Sequence, residues 1–468
     1  MRIQNTLGRA VSEFEPMAEG KVGIYVCGPT VQAAPHLGHG RSAVAFDVIR
    51  RYLSWKGYEV TYVRNVTDVE DKIIAEAAVR GITTEELAAE TASRFAEAER
   101  RLGVLEPTEK PKATEHIPEM IGLIEELVSK GLAYPSAGDV YFSVRSLPDY
   151  GKLSGRNLDE LLAGARVEVD ERKRDPADFA LWKATKPGEP SWDSPWGPGR
   201  PGWHIECSAM ARKYLGDTFD LHGGGTDLIF PHHENEIAQS EGATGVPFAR
   251  YWLHNEMLNL GGEKMAKSTG HIIDLGEALD TFPPLAVRLF YLRAQYRSPL
   301  EYSESLLGDA AASYERLKAF LRRAGGAGDA VPDPETMRLF EEAMDEDFNT
   351  ATALAVVFDA VRVGNRTMDA NGDASGLAAA VAAILEVFGL TPVAGDVSDL
   401  LEPLSDLASQ VGLAVDGDAD GLIDALIAVR IAARDRQDWA LADLVRDGLS
   451  DIGITVEDTA DGARWHRS

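Results

Sequence analysis

Apolar residues along this chain recur with two different periods, and the switches between them outline its elements. Val22-Gly23-Ile24-Tyr25-Val26 is an unbroken apolar run, the pattern of a parallel strand buried on both faces. From Arg41 to Trp55 the residues Ala45, Val48, Ile49, Tyr52 and Leu53 fall on one side at helical spacing, which predicts an amphipathic helix. Tyr58 to Val66 is β-branched and aromatic again and reads as a second buried strand. Strand, helix and strand in that order predict a doubly wound, Rossmann-like parallel sheet, an α/β fold. Thr83, three residues ahead of Glu86, opens another helix that runs to about Leu102.

From Pro107 to Pro201 the texture changes to short strands and turns, such as Asp139 to Val144, and this reads as an insertion into the sheet domain. Sheet-like texture returns at Gly202, and past Leu275 helices dominate. Ala324 to Pro334 is a glycine-rich linker, and Thr336 to Thr367 reads as one amphipathic helix. Pro392 to Asp420 reads as a second loose segment ahead of a small unit from Leu422 to Trp465. The expected division is therefore 1–106 for the first half of the sheet domain, 107–201 for the insertion and 202–275 for the second half. A helical stem over 276–323, a helical bundle over 324–391, and a linker with a small C-terminal unit over 392–468 follow.

At 468 residues the chain is long enough for about three domains. Its 44% hydrophobic and 26% charged residues are those of a globular protein. The N-terminus has no apolar signal core and no stretch reaches the ~20 apolar residues of a membrane span, so the expectation is a cytoplasmic protein with no membrane association. The two cysteines, Cys27 and Cys207, are accordingly expected as reduced thiols. A net charge of −28 argues against indiscriminate nucleic-acid binding, because phosphate affinity comes mostly from Lys and Arg. It leaves room for a specific RNA on a local basic face.

Three stretches carry candidate chemistry. The first is the glycine-rich turn between first strand and helix, with His36, Gly38 and His39. A strand, such a turn and a helix N-terminus make an anion site, though a lone His-x-x-His is also met as two unrelated surface histidines. Gly38-x-Gly40-x-x-Ala43 fits the dinucleotide fingerprint only loosely, since about a dozen residues separate it from the strand. The second is Cys27 and Cys207 with the stretch from Asp220 to Glu236, where Pro231 is a plausible helix start and His232 and Glu236 stand four apart. Two thiols, an imidazole and a carboxylate make a zinc ligand set; two buried structural cysteines and a polar helix are the alternative. A metalloprotease pattern from His233-Glu234 fails at Ile237, and the esterase-like His222-Gly223-Gly224-Gly225 has no G-x-S-x-G nucleophile to serve. The third is Gly261 to Gly270, a glycine-flanked loop bearing Lys264 and Lys267.

Pro35-His36-Leu37-Gly38-His39 resembles the His-Ile-Gly-His signature of class I aminoacyl-tRNA synthetases, and Cys27-Gly28-Pro29-Thr30-Val31 resembles its version in cysteinyl-tRNA synthetases. Glu263 to Ser268 is similar to the Lys-Met-Ser-Lys-Ser loop of class I enzymes, with Ala266 where serine is commoner. Arg172 to Lys183, Val63 to Asp68 and Glu457-Asp458-Thr459 extend the resemblance over nearly the whole chain. It implies activation of L-cysteine by ATP with Mg2+, then transfer to the terminal adenosine of tRNA(Cys), by a monomer. It implies one Zn2+ per chain on Cys27, Cys207, His232 and Glu236, with the substrate thiolate joining it. His36 and His39, with Gly38, would bind ATP phosphate; Lys267 chiefly, and Lys264, would follow the departing pyrophosphate; Thr30, Thr67 and Trp203 would line the amino-acid pocket. The C-terminal unit would bind the anticodon, with Arg430, Arg434, Arg446, Arg464, Arg467, Trp439 and Trp465 as candidate contacts. The rival readings are a ligase joining activated cysteine to an amino sugar in mycothiol synthesis and a non-catalytic zinc-dependent RNA-binding protein.

Overall fold

The computed structural model describes residues 1–157, 171–260, 263–264, 273–326, 330–391, 400–413, 419–459 and 462–467, those at 263–264 and some beyond 400 by backbone alone. They form two compact units, Met1–Leu390 and Thr391–Ser468.

The first unit opens with a hairpin, β1 (Arg2–Asn5) and β2 (Ala10–Glu13). The buried apolar run becomes β3 (Lys21–Val26), followed by α1 (Leu37–Trp55) and β4 (Glu59–Arg64). Next come α2 (Asp71–Arg80), a helix not expected, and α3 (Thr84–Arg101), which has the Thr83/Glu86 capping box. The insertion holds α4 (Ile117–Ser129), also unexpected, and an antiparallel sheet of β5 (Ala133–Ser136), β6 (Asp139–Phe142), β7 (Phe179–Ala184) and β8 (Gly199–Pro201) in that order. Its core is Met120, Ile124, Val140, Phe142, Leu181 and Trp182.

The chain then re-enters the main sheet through α5 (Trp203–Leu215), β9 (Phe219–Gly225), α6 (Glu234–Thr244) and β10 (Ala249–Asn255). The strand order is β10-β9-β3-β4, all parallel, with Tyr25 opposite both Val63 and His222. The chain runs from β3 to β4 on one side and returns to the other side of β3 for β9. That reversal opens a crevice at the carboxyl ends of β3 and β9, where open parallel sheets bind ligands.

Beyond the sheet lie β11 (Leu258–Leu260), β12 (Glu263–Lys264), α7 (Leu275–Thr281), α8 (Pro284–Leu292), β13 (Leu300–Tyr302) and α9 (Glu304–Arg323). Helices α10 (Pro334–Asp345), α11 (Thr350–Asp369) and α12 (Ser375–Val387) share one core with the sheet domain, in which Val44 and Phe290 join Phe340 and Ile384. A buried ion pair ties these layers together. Asp47 of α1 accepts from Arg288 of α8 and from Arg51 Nε at 2.7 Å, while Arg288 donates to the carbonyls of Phe388 (2.6 Å) and Leu102 (3.0 Å).

Three expectations are corrected. Helix α1 begins at Leu37, not Arg41, so Gly38 and Gly40 lie in its first turn. They serve close packing: a Cβ on Gly40 would stand 2.8 Å from the Tyr291 hydroxyl. The single helix over Thr336 to Thr367 is two, broken where Asp347 and Phe348 take positive φ (57° and 54°), which amphipathic spacing on both sides conceals. The loose segment Pro392 to Asp420 contains α13 (Leu401–Gln410), whose buried Leu404 and Leu407 sit among the polar and glycine residues that suggested a loop. Residues 392–399 and 414–418 of it lie outside the described residues.

The second unit packs α13 with α14 (Ala419–Asp435), α15 (Trp439–Asp451) and the hairpin β14 (Ile454–Thr459), β15 (Gly462–Arg467) around Leu422, Ile423, Leu426, Val445 and Leu449. Arg430 is buried, which removes it from any exposed arginine face with Arg434. Trp439 is 59% exposed, Trp465 Nε1 donates to Asp424 at 2.9 Å, and Arg446 pairs with Asp443 and Asp447. The side chains of Arg464 and Arg467 lie outside the described residues.

Candidate active site

The crevice is built where strands end. Cys27 follows β3 and its N–H donates to the Gly223 carbonyl of β9 (3.1 Å). Asn65 follows β4, and its Oδ1 accepts the Gly28 N–H (2.8 Å) and faces Cys207 Sγ at 3.7 Å. Glycine is required at position 28, because a Cβ there would stand 1.6 Å from the Asn65 carbonyl oxygen. Cys207 comes from α5. His232 comes from the wound segment Ile229–His233, since the regular helix begins at Glu234 and not at Pro231.

Four side chains converge, two of them on one oxygen of the fourth, Glu236. Glu236 Oε1 is 3.2 Å from Cys27 Sγ and 3.1 Å from His232 Nε2, and with Cys207 their donor atoms all lie within 4.8 Å of one another. Metal bonds of about 2.0–2.3 Å give a tetrahedron edges of roughly 3.3–3.8 Å, so the spacing suits one four-coordinate ion. Both cysteines are free. Cys27, His222, His233 and Glu236 form an overlapping group. There the second oxygen of Glu236 is taken: His222 Nε2 holds Oε2 at 2.8 Å, and the His222 ring stacks on Trp252 (4.3 Å, 14°). Oε1 is thereby left to Cys27 and His232.

Burial sets the protonation. It lowers His232 to about 3, so the ring is neutral, with Nε2 3.1 Å from Glu236 Oε1 and Nδ1 3.0 Å from His204 Nδ1. It pushes the Cys27 thiol well up, and Cys207 up as well, because a thiolate without a cation is costly there. Burial also acts upward on Glu236, but His222 and His232 outweigh it and hold the group below the usual carboxylate range. A divalent cation among these donors reverses the penalty on the thiols.

Of the expected pocket residues, Trp203 stacks on His232 (4.2 Å, 24°) and Thr30 bridges Thr67 through the backbone. The Thr67 hydroxyl is buried and committed: it donates to Glu206 Oε2 (2.8 Å) and accepts from Asn65 Nδ2 (3.3 Å). Thr67 thus supports the pocket from behind.

At the other end of the crevice His36 caps α1 and His39 is its third residue. The rings stack at 3.7 Å, and the His36 N–H donates to His39 Nδ1 (3.1 Å). A neutral His39 therefore carries its proton on Nε2, as a donor. Gly38 lies between, its added Cβ reaching the His36 ring at 3.0 Å. The backbone of Lys264 is paired with Asn259 in the hairpin β11–β12, while Lys267 and the Lys264 side chain lie outside the described residues. The far flank of that segment is bonded to the histidine turn: Leu37 N–H donates to the Ile273 carbonyl (3.1 Å) and Leu275 N–H to the Pro35 carbonyl (2.9 Å). Nine residues of chain after Lys264 thus lead to the first turn of α1.

Sequence reasoning passed over His222, Glu206, Asn65 and Trp252. His222 was legible as a polar residue inside a strand pattern, but a role in orienting Glu236 required knowing that β9 lies beside β3. Glu206, pushed well above the carboxylate range first by burial, had no signal.

Residues 13–312 match the family described as the class I (C) tRNA synthetase catalytic domain, and residues 339–391 match the DALR domain. The chain is 48% identical to the cysteine–tRNA ligase of Syntrophotalea carbinolica, covering 99% of each, and 49% identical to that of Desulforudis audaxviator, covering 100% of each. Among solved structures it is similar in fold to the methionyl-tRNA synthetase of Mycobacterium tuberculosis (TM-score 0.57, 16% identity, 84% of this chain and 94% of that one). The LeuRS of Agrobacterium radiobacter in a ternary complex with tRNA gives 0.58 at 12% identity, over 81% and 84%.

Proposed function

The chain belongs to the cysteine–tRNA ligases, class I aminoacyl-tRNA synthetases, and from that premise we propose how its residues share the work of attaching cysteine to tRNA(Cys) with ATP. Cys27, Cys207, His232 and Glu236 hold one Zn2+, supported by the convergence of their donor atoms within 4.8 Å, which is the observation that carries this reading. Bound there, zinc supplies a soft centre that takes a thiolate far better than a neutral hydroxyl, and so separates cysteine from serine where an apolar pocket separates isosteres poorly. His222 fixes Glu236 through Oε2, and Trp203 packs on His232 to wall the pocket, with Thr30 and Thr67 behind. His36 and His39 offer donors and the α1 N-terminus to the Mg2+-bound triphosphate. Lys267 and Lys264, on the segment whose described far flank is bonded to the histidine turn, neutralise the departing pyrophosphate.

The full-length match favours this reading over the amino-sugar ligase. No helix among the described residues is long and apolar enough to cross a membrane. The second unit, with exposed Trp439 and Arg434, is assigned to the anticodon of tRNA(Cys), and the whole to a cytoplasmic monomer. Cys207→Ser tests the core of the proposal. It should lose zinc and cysteine-dependent pyrophosphate exchange together, and full zinc occupancy in that variant would remove Cys207 from the site.

A further inference from the structure

Two residues from His39 in the first turn of α1, Arg41 is 2% exposed. Its guanidinium donates to the carbonyls of Met257 (2.7 Å) and Ser298, and lies 3.4 Å from those of Gln295 and Tyr296. Every hydrogen-bond partner of this buried cation among the described residues is main chain. The Glu256 carboxylate acts on it through space but no carboxylate is hydrogen-bonded to it, and what the buried cation secures here is the geometry of those carbonyls.

The two carbonyls belong to the support of the lysine segment. Met257 precedes β11, the strand whose partner β12 carries Lys264, and the Met257 carbonyl also accepts the Leu300 N–H (3.3 Å). β11 runs parallel to β13, which follows Ser298, and the Glu256 N–H donates to the Tyr296 carbonyl (2.8 Å).

The turn 295–298 is gripped in turn by Asp347. Its carboxylate accepts from Gln295 Nε2 (3.0 Å), the Tyr296 hydroxyl (3.0 Å), Arg297 Nε and the Gln4 N–H (2.9 Å), and its own N–H donates to Arg2 (3.0 Å). Asp347 and Phe348 both hold left-handed backbone, at φ 57° and 54°, a strained state for a buried phenylalanine. Strain of this kind persists where surroundings over-determine it.

We propose that Arg41 and Asp347 are positioning residues for the activation step, making the phosphate end of α1, the root of the lysine hairpin and the α10–α11 turn one rigid frame. The frame fixes the described root of that hairpin, β11 with the Lys264 backbone, against the first turn of α1, and 1 Å of misplacement in such a site costs about a hundredfold in rate. The inference rests on the assignment of Lys267 to pyrophosphate. It also joins the helical domain to the chemistry, since Asp347 lies at its α10–α11 turn.

The test is single-turnover formation of cysteinyl-adenylate by Arg41→Lys, Asp347→Asn, Lys267→Ala and the two doubles with Lys267→Ala. Lysine keeps the charge but cannot span two carbonyls. Each positioning variant should lose about 10- to 100-fold in rate, with zinc content and cysteine KM within about twofold. In the Lys267→Ala background the further loss should fall below about threefold, because the group being positioned is gone. A multiplicative loss in both doubles overturns the proposal and leaves the lysine assignment standing. A normal rate in Lys267→Ala alone removes that assignment and this inference with it. Asp347→Asn, nearly isosteric and not itself hydrogen-bonded to Arg41, keeps the cycle readable if Arg41→Lys does not fold.

Discussion

Gly28→Ala is the smallest change that should empty the metal site. The new methyl group would lie 1.6 Å from the Asn65 carbonyl oxygen and 2.7 Å from its carbon, both main-chain atoms that no rotamer change can move. Cβ contacts essentially never fall below 3.0 Å, so the backbones after β3 and β4 must part by 1.4 Å, the difference between the two distances. Cys27 is bonded directly to Gly28, and Asn65 touches Cys207, so the shift moves the two sulfur ligands relative to Glu236. Metal–ligand distances tolerate about 0.2 Å, far less than this displacement. Overpacking adds about 1–3 kcal/mol, and loss of the Gly28–Asn65 hydrogen bond about 1 kcal/mol more. Zinc per chain, measured on purified protein, should fall at least about tenfold, with cysteine KM rising in parallel. Gly308→Ala in α9 is the control: nothing lies within 4 Å of its added Cβ, and the change should stabilise by about 0.5–1 kcal/mol. If Gly28→Ala keeps about one zinc per chain and a normal cysteine KM, the link between the Gly28–Asn65 contact and the metal ligands is wrong.

Breaking the buried pair with Asp47→Ala leaves Arg288 without its carboxylate and should cost about 3–5 kcal/mol in chemical denaturation. Burial acts upward on the Asp47 carboxyl, but Arg288 and Arg51 outweigh it and hold the group below its usual range. Its stabilisation is thus complete above the unfolded value near 3.9 and is lost as pH falls through the lower folded value; acid-unfolding curves of wild type and Asp47→Ala should converge there. His39→Ala should slow adenylate formation by about 10²–10³-fold with little change in cysteine binding, and an unchanged single-turnover rate would show that the ring does not touch phosphate. Removal of residues 391–468, a unit with its own core, should leave cysteine-dependent pyrophosphate exchange nearly intact and strongly impair tRNA charging; undiminished charging would take the anticodon from that unit.

The parts of this molecule that local pattern can carry were legible. An apolar run and a 3.6-residue stripe foretold β3 and α1, and Thr83 with Glu86 foretold the cap of α3. The four metal donors were legible as a ligand set from their types and from the four-residue spacing of His232 and Glu236, but only family resemblance joined the cysteines to them, since separations of 180 residues say nothing about proximity. What was missed has physical causes. Gly38 and Gly40 promise a turn to local reasoning, whereas Tyr291 and Leu275, more than 200 positions away, demand the smallness of Gly40, and the His36 ring that of Gly38. Asp347 and Phe348 break a helix at residues whose ordinary preferences give no warning, because the break is held by Gln295, Tyr296 and Gln4. His222 and Glu206 acquire their parts only when β9 and α5 come to lie beside β3.

The placement of β3 between an early and a late partner bears on how the enzyme is made. Cys27 emerges from the ribosome 180 residues ahead of Cys207, its fellow donor. At about 5–20 residues per second the thiol waits roughly 10–40 s before the site can close around it. During that interval β3 has β4 on one edge and nothing from β9 on the other, a bare strand edge beside an unprotected sulfur. The nascent chain is therefore most exposed to oxidation and mispairing while the insertion is being synthesised. In the proposed site a metal ion can be held by all four donors only once residue 236 is out, and Glu236, the last to arrive, is the one that Cys27 and His232 both contact.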